Sequence, residues 1–377
     1  MPKMSSKGTL RQSQKILHSS KVIWNGSGID DGEILSKKVE IATSPGDNYN
    51  STIHRIFLTF TDGLKKGRDP KKIQFLVKRL NGFETSGTFA EFGAIYDLEK
   101  DMLKDIMPRL SRLTEGIQFA PRHYHSLPGR QLMLIAMEDL KELNYRMVER
   151  RIGLDYEHCC VVLRKLGQMH AASMFLAKED PSLLDKYTFA PLPGSDEKPG
   201  ILQTYFSLNF PSLCKIAKNW EDFEDISLKL EQMKDNFWDL VPKSLSRRND
   251  GYRVINHGDI WINNMLFKYN ETTGKPTDVL FVDFQGSHFT SPAYDLQYFF
   301  SSSPQNWVRE HQRDDLLRIY YNAFAATLKN LEYEEIPTFA DLEEEMKKKE
   351  LYGFLTAVFI LPLACMEEQS AQGSGHY

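Results

Sequence analysis

The amino-acid sequence predicts an α+β fold, because short apolar strands dominate its first 140 residues and long amphipathic helices dominate the rest. Apolar residues alternate along residues 53–60, and a buried strand leads to Glu138, whereas helical spacing prevails after Asp155. The chain has 377 residues, which is enough for two lobes with separate cores, since domains usually contain roughly 100–200 residues. We therefore expect a small β-rich N-terminal lobe and a larger, mostly helical C-terminal lobe.

The composition is that of an ordinary globular protein, with 41% hydrophobic and 26% charged residues. The net charge of −4 provides no broad basic field, so we expect neither nucleic acid nor an anionic membrane surface as a partner. The four cysteines are too few and too scattered for a disulfide framework, which indicates a reducing compartment. The polar N-terminus lacks the apolar core of a secretory signal, and no long apolar run predicts a membrane span. The expected location is the cytosol.

The most informative stretch is residues 253–285, which reads R-V-I-N-H-G-D-I-W-I-N-N-M-L-F, a turn, and V-L-F-V-D-F-Q. It predicts two short strands, residues 265–269 and 279–284, joined by a polar turn. Such a hairpin brings Asp259, Asn264 and Asp283 together at one end. Two carboxylates and an amide so placed suit a divalent cation and a hydroxyl base. The alternative is that these polar residues only cap turns.

The order and spacing of these residues match protein-kinase-type phosphotransferases, in which H-x-D is followed five residues later by Asn, and then by D-F. The segment resembles the aminoglycoside and choline kinase superfamily, where H-G-D replaces H-R-D, and looks most like the ecdysteroid kinase-like (CHK kinase-like) family. The resemblance implies a bilobal protein-kinase-like fold with ATP and Mg²⁺ in its cleft. It places the N-lobe at residues 1–136, a hinge at 137–141 and the C-lobe at 142–377.

The resemblance also implies a role for each residue of the motif. Asp259 would orient and deprotonate an acceptor hydroxyl, while Asn264 and Asp283 would hold the metal that bridges the phosphates. His257 is expected to be structural, with its imidazole hydrogen-bonded to backbone beside the loop. Asp295 resembles the superfamily's aspartate that braces the H-G-D loop.

The N-terminal lobe offers a polar turn at Gly46, Asp47 and Asn48 between two strands, where backbone N–H groups can contact phosphate oxygens. An ordinary hairpin is the alternative, because the turn lacks G-x-G-x-x-G and Pro45 has no N–H to donate. The resemblance favours the phosphate-binding interpretation, since the family usually has a similar G-E-N-Y-type turn.

Lys78 lies near the end of the apolar strand I-Q-F-L-V-K-R-L. In kinase folds such a lysine pairs with the α and β phosphates and with a glutamate of the next helix; an edge-strand lysine is the alternative. The next helix begins near Glu91, and we expect Pro108 to end it. Glu99 stands nine residues before Pro108, as in the family pattern, and Glu91 is the competing partner.

A buried strand ends at Glu138 and Asp139 and would form the start of the hinge. The resemblance implies that adenine hydrogen-bonds to backbone groups near Glu138 and Leu140. Beyond it, Asp155 is expected to cap a long helix on which His170 is a core residue.

The acceptor is expected to be a small molecule, because Asp295 stands only twelve positions after Asp283 and leaves no room for a peptide-binding activation segment. Aromatic residues scattered over 181–250 lie where related kinases build their acceptor pocket. We predict an ATP- and Mg²⁺-dependent kinase acting on a hydroxyl of an apolar, ecdysteroid-like acceptor. Two alternatives stay open: a choline/ethanolamine- or aminoglycoside-type kinase, and a pseudokinase or ligand-binding protein without turnover.

Overall fold

The computed structural model describes residues 34–42, 51–61, 69–80, 89–127, 133–182, 187, 201–234, 237, 241 and 250–365. These residues form two compact units. The smaller unit contains the described residues up to 108 and residues 118–146, and the larger unit contains 109–117 and those from 147 to 365. The smaller unit is rich in strands and the larger one is mainly helical, which confirms the predicted α+β class.

The smaller unit is built on a five-stranded antiparallel sheet with the strand order β1-β2-β3-β5-β4. Its strands are β1 Ile34–Ile41, β2 Ser51–Phe60, β3 Lys71–Leu80, β4 His123–Leu127 and β5 Leu134–Glu138. Ile56, Val77 and Ala136 belong to a buried apolar cluster on one face. Because side chains alternate along a strand, Lys78 points to the opposite face. In the register of the sheet it stands beside Ile53 and Ile135.

The helix after β3 does not end at Pro108, so that part of the prediction is wrong. The chain runs through α1 Phe89–Asp101, a π-helical turn Met102–Ile106 and α2 Met107–Leu113. The N–H of Met107 donates to the carbonyl of Met102, five residues earlier. A π turn changes the local hydrogen-bond register just before a residue that has no N–H to donate, and the helix continues past it.

The larger unit contains eight helices within the described residues: α3 Tyr156–Glu179, α4 Ile201–Ala217, α5 Glu224–Met233, α6 Ala293–Ser302, α7 Asn306–His311, α8 Arg313–Asn330, α9 Phe339–Lys348 and α10 Glu350–Cys365. The side chain of Asp155 accepts from the N–H of His158 at 3.0 Å, which confirms it as the N-cap of α3. None of the helices in the described ranges is both long and apolar enough to span a membrane.

Two strand pairs carry the H-G-D segment: β6 Val254–Asn256 with β9 His288–Thr290, and β7 Met265–Tyr269 with β8 Pro276–Phe281. The predicted hairpin is therefore present, and its first strand has the predicted bounds. Its second strand starts earlier than predicted and ends at Phe281. Asp283 has a left-handed backbone (φ +68°) and leads into a 3-10 turn, Phe284–Gly286, so the extended pairing stops before it.

Candidate active site

Lys78 and Glu99 form a buried ion pair in the smaller unit. The Nζ atom of Lys78 donates to Oε1 of Glu99 at 2.9 Å and to Oε2 at 2.7 Å. The side chains are only 5% and 2% exposed. Of the two glutamates that the sequence left open, Glu99 is thus bonded to the lysine, while the side chain of Glu91 lies outside the described residues. The pair fixes the ammonium group of β3 against α1.

Asp139, in the predicted hinge, has a carboxylate that several donors hold in place. Asp139 accepts from the side chains of Arg55 and Gln74, the second at 2.5 Å, and from the N–H of Lys141 at 3.2 Å. Burial acts to raise the pKa of Asp139, but the hydrogen bonds from Arg55 and Gln74 outweigh it and lower that pKa. Asp139 therefore ties the 3-10 turn Leu140–Leu143, which it caps, to β2 and β3.

The two predicted adenine-binding positions differ in how their backbone is used. The N–H of Glu138 donates to the carbonyl of Arg122 at 2.9 Å, and its carboxylate accepts from Gln118 at 2.8 Å. Leu140 is the first residue of its 3-10 turn, and an N–H at that position has no carbonyl partner within the turn. Of the two, Leu140 offers the more suitable donor for a base. The predicted phosphate turn at Gly46, Asp47 and Asn48 lies outside the described residues.

In the larger unit, buried Asp295 holds the backbone of the H-G-D loop. Its carboxylate accepts from the N–H of His257 at 2.6 Å and from the N–H of Gly258 at 2.9 Å. His170 of α3 lies 3.2 Å from the same carboxylate through Nε2. Burial alone would raise the pKa of Asp295, but the bonds from His170 and Gly258 lower it. The expected bracing role of Asp295 is confirmed.

His257 connects the two halves of the motif through its ring. Its Nε2 lies 3.0 Å from the carbonyl of Val282 and therefore donates, whereas its Nδ1 accepts from the N–H of Asp259 at 3.2 Å. The expected structural role of His257 is confirmed, and both of its ring nitrogens are bonded to backbone.

Gly258 is required by the close approach of two loops. Its φ is +83°, and a Cβ atom there would lie 1.9 Å from the carbonyl oxygen of Gly286. No side chain fits at that distance, so the residue between His257 and Asp259 is glycine. The same contact brings the H-G-D loop against the turn that follows Asp283.

The predicted base, Asp259, has hydrogen bonds at both oxygens. Oδ2 accepts from Nδ2 of Asn264 at 2.9 Å, and Oδ1 accepts from the hydroxyl of Tyr298 at 2.5 Å. Burial raises the pKa of Asp259, and the charge of Asp283 raises it further, against the bonds from Tyr298 and Asn264. The charge of Asp283 therefore acts on the carboxylate of Asp259.

The two predicted metal ligands are the amide of Asn264 and the carboxylate of Asp283. The Nδ2 group of Asn264 donates to the backbone carbonyl of Asp259 at 2.8 Å as well as to its carboxylate, so its amide offers Oδ1 to a ligand. The carbonyl of Asn264 accepts from the N–H of Val282 at 3.0 Å, next to Asp283. Across the described ranges, no three Cys, His, Asp or Glu side chains form a metal site. An amide and a carboxylate fit Mg²⁺, which usually completes its shell with phosphates and water.

Comparison with known proteins gives the decisive match. The sequence profile of the ecdysteroid kinase-like family matches residues 45–333, about three quarters of the chain. The chain belongs to the ecdysteroid kinase-like family. That match spans all the predicted site residues, from the turn at Gly46 to Asp283, and reaches beyond Asp295. No curated protein sequence matches the chain.

Solved structures similar to this family member are small-molecule kinases. Plasmodium vivax ethanolamine kinase is 15% identical, and the alignment covers 88% of this chain and 83% of the ethanolamine kinase chain, with a TM-score of 0.35. Choline kinase LicA of Streptococcus pneumoniae is 13% identical, with coverages of 88% and 98% and a TM-score of 0.36. The aminoglycoside phosphotransferase APH(4)-Ia, as a thermostable mutant, is 11% identical, with coverages of 94% and 99% and a TM-score of 0.34. At such TM-scores these likenesses carry no weight, and the assignment rests on the family profile.

The sequence did not single out Tyr298, which bonds the predicted base, and it placed His170 only in the core. His170 is buried, as expected, but it also bonds the carboxylate that braces the loop. A signal for Tyr298 is present: it stands three residues after Asp295 on α6, and residues three apart lie on the same face of a helix. No local signal connects His170 to Asp295, because 125 residues separate them.

Proposed function

We propose that this ecdysteroid kinase-like protein transfers the γ-phosphoryl group of ATP to a hydroxyl of a small acceptor in the presence of Mg²⁺. The observation that carries this proposal is the hydrogen-bonded pair Asp259 and Asn264, with the charge of Asp283 acting on Asp259. A carboxylate with a raised pKa suits a general base, because proton transfer is most efficient when the pKa of the base approaches the working pH.

In this proposal Asp259 orients the acceptor hydroxyl and takes its proton. The acceptor oxygen forms a bond to the γ-phosphorus, the bond from that phosphorus to the bridging oxygen breaks, and ADP leaves. Asn264 Oδ1 and the carboxylate of Asp283 would hold Mg²⁺, which supplies charge neutralisation when bound. Because the transferring group is loosely bonded in the transition state, most of the rate comes from positioning and charge.

The smaller unit would bind the nucleotide through the residues that the family resemblance assigns. Lys78, held by Glu99, would contact the α and β phosphates, and backbone groups of Glu138 and Leu140 would contact adenine. Gly46, Asp47 and Asn48 would offer N–H groups to the phosphates. ATP and Mg²⁺ are thus the proposed cofactors, and the cytosol is the proposed location.

For the acceptor we propose an apolar, hydroxylated molecule of ecdysteroid type. Its support is the family itself. A cationic acceptor such as choline would need an aromatic cage for its ammonium group. Choline, ethanolamine and aminoglycosides therefore belong in the test as competing acceptors.

The test is to incubate the purified protein with Mg²⁺, γ-labelled ATP and a panel of ecdysteroids, other apolar alcohols, choline, ethanolamine and aminoglycosides. Label in a steroid hydroxyl, identified by mass spectrometry, is the expected result. Asp259→Asn should lower turnover by about 10²- to 10⁴-fold, the usual contribution of a general base. Nucleotide affinity should stay largely intact in this variant, whereas Asp283→Asn should weaken binding of the Mg²⁺ complex.

Two results would contradict the proposal. Wild-type protein that binds no nucleotide would exclude the kinase assignment. Tight binding of the Mg²⁺ complex, without transfer to any acceptor or to water, would favour the alternative of a ligand-binding protein without turnover.

A further inference from the structure

The carboxylate of Asp259 is held from two sides by uncharged donors. Tyr298 of α6 donates its hydroxyl to Oδ1 at 2.5 Å, and Asn264 donates to Oδ2 at 2.9 Å. Tyr298 is only 6% exposed. With one oxygen bonded from each side, the carboxylate cannot rotate about its last torsion without losing a hydrogen bond.

Helix α6 provides hydrogen-bond partners for both the backbone of the H-G-D loop and the side chain of Asp259. Asp295, in its first turn, accepts from the N–H groups of His257 and Gly258, while Tyr298 reaches the carboxylate of Asp259. The two residues lie three apart and therefore share a face of the helix. A single rigid element thus sets the position of the loop and the orientation of its carboxylate.

The ring of Tyr298 is itself fixed by α10. Its centroid lies 6.4 Å from that of Tyr352, which in turn contacts Tyr294 at 4.8 Å in an edge-to-face arrangement. All three tyrosines are buried. Aromatic rings packed in this way have little rotational freedom, so the hydroxyl of Tyr298 remains directed at Asp259.

The charges around the two groups favour a donor role for the phenol. The groups whose charge acts on Asp259 are Asp283 and His257, and those whose charge acts on Tyr298 are Asp259, Tyr352 and Asp295. Burial raises the pKa of Tyr298 far above its usual value, and the charge of Asp259 raises it further. The phenol therefore keeps its proton and donates.

We propose that Tyr298 is a positioning residue for the base Asp259, holding the carboxylate in the one orientation that presents a further lone pair to the acceptor hydroxyl. An ionised carboxylate has about four lone-pair sites, and the two side-chain bonds occupy two of them. The inference rests on the proposed kinase function. Tyr298 contacts no reacting atom, and its effect passes through Asp259.

The experiment compares Tyr298→Phe with Tyr352→Phe, a matched control in the same aromatic layer. Both variants lose one hydroxyl and keep the ring, but only the first loses a bond to Asp259. One readout is the hydrolysis of Mg²⁺-ATP, in which water accepts the phosphoryl group and no other acceptor needs to be identified. The other is phosphoryl transfer to whichever acceptor the wild type uses. We expect Tyr298→Phe to lower kcat by about 10- to 100-fold, as misplaced catalytic groups do, with unchanged nucleotide affinity. Tyr352→Phe should stay close to wild type.

A double-mutant cycle separates positioning from a general structural effect. In the Asp259→Asn background, Tyr298→Phe should cause little further loss, because coupled residues are not additive. Equal losses in both backgrounds, equal losses in the two phenylalanine variants, or wild-type turnover of Tyr298→Phe would overturn the inference. A thermal unfolding midpoint close to wild type shows that Tyr298→Phe is folded. Wild-type protein that neither hydrolyses nor transfers would instead refute the proposed function, and the inference with it.

Discussion

The smaller and the larger unit place their predicted catalytic side chains in different ways. Lys78 and Glu99 meet as two charges, both nearly excluded from solvent. Asp259 instead belongs to a web of hydrogen bonds that includes backbone N–H groups, the imidazole of His257 and the phenol of Tyr298. Removing one partner of a buried ion pair is strongly destabilising, because the other charge stays buried. A web of hydrogen bonds holds a whole loop, and removing one member removes only part of the interactions that hold it.

The largest effect is expected from breaking the charge pair. Lys78→Met removes the ammonium group that is bonded to the buried carboxylate of Glu99 and should lower the free energy of unfolding by about 3–5 kcal/mol. The double variant Lys78→Met/Glu99→Leu should recover most of that loss, because apolar residues replace both charges. Chemical denaturation provides the measurement.

Nucleotide affinity is measured separately from stability in these variants. Both lack the lysine, so both should bind ATP weakly even where the double variant recovers its stability. Glu91→Gln is the control and should change neither quantity. If the single and double variants were equally unstable, the buried pair would not be the energetic unit described above.

The next effect tests the close approach at the H-G-D loop, through Gly258→Ala and its matched control Gly274→Ala. Gly274 also has positive φ (+68°), but a Cβ there meets nothing within 4 Å. The control should therefore lose only about 1–2 kcal/mol for a left-handed L-residue. Gly258→Ala must also displace the backbone of Gly286, which adds about 1–3 kcal/mol of overpacking and should abolish turnover. Equal unfolding free energies for the two variants would contradict the contact.

A smaller effect is expected at the brace of the loop. Asp295→Asn presents an amide N–H₂ group to one of the N–H donors of His257 and Gly258 and should cost about 1–3 kcal/mol at neutral pH. The folded-state pKa of Asp295 is lowered, so its contribution is complete above the ordinary Asp pKa of about 3.9 and is lost as pH falls through the lower folded value. In urea titrations, the difference in unfolding free energy between wild type and variant should thus shrink as the pH falls from about 5 to about 1. A constant gap would show that the charge of Asp295 does not matter.

The smallest effect is expected at an exposed helix cap away from the site. Asp155 caps α3 and its side chain is 52% exposed, so Asp155→Ala should cost about 1 kcal/mol and leave turnover unchanged. Thermal unfolding and the ATP hydrolysis assay check both expectations. A loss of turnover here would mean that the loop depends on α3 more than its bonds indicate.

The parts of the site that sequence predicted are those held by short-range geometry. Asn264 and Asp259 are five residues apart and bond directly, so their spacing alone carries the contact. The family spacing to Pro108 favoured Glu99 over its competitor Glu91, and Glu99 is the residue that bonds Lys78. His170 was missed as a site neighbour because it lies 125 residues from Asp295, whereas Tyr298 could have been found from its three-residue spacing to Asp295 on the same helix.

Two errors in the predicted elements have local causes that residue patterns do not display. Pro108 was expected to stop a helix, but the preceding π turn accommodates it. The strand that leads to Asp283 was extended too far, because a continuous apolar run reaches residue 282 and Phe284 follows, while Asp283 adopts a left-handed backbone. The turn at Gly46, Asp47 and Asn48 stays a prediction.

The web around Asp259 has a consequence for how such proteins diverge. Its donors and acceptors come almost entirely from residues 254–302, one continuous fragment that includes Asn264, Asp295 and Tyr298. The bonds that reach it from outside include two from α3, where His170 meets Asp295 and Ser173 accepts from the N–H of Ile255. Most of the hydrogen bonds that hold Asp259 and its loop are therefore internal to this fragment. Helices elsewhere in the larger unit, such as α4 and α5, can change their sequence under selection for new acceptors while the proton-accepting carboxylate keeps its orientation.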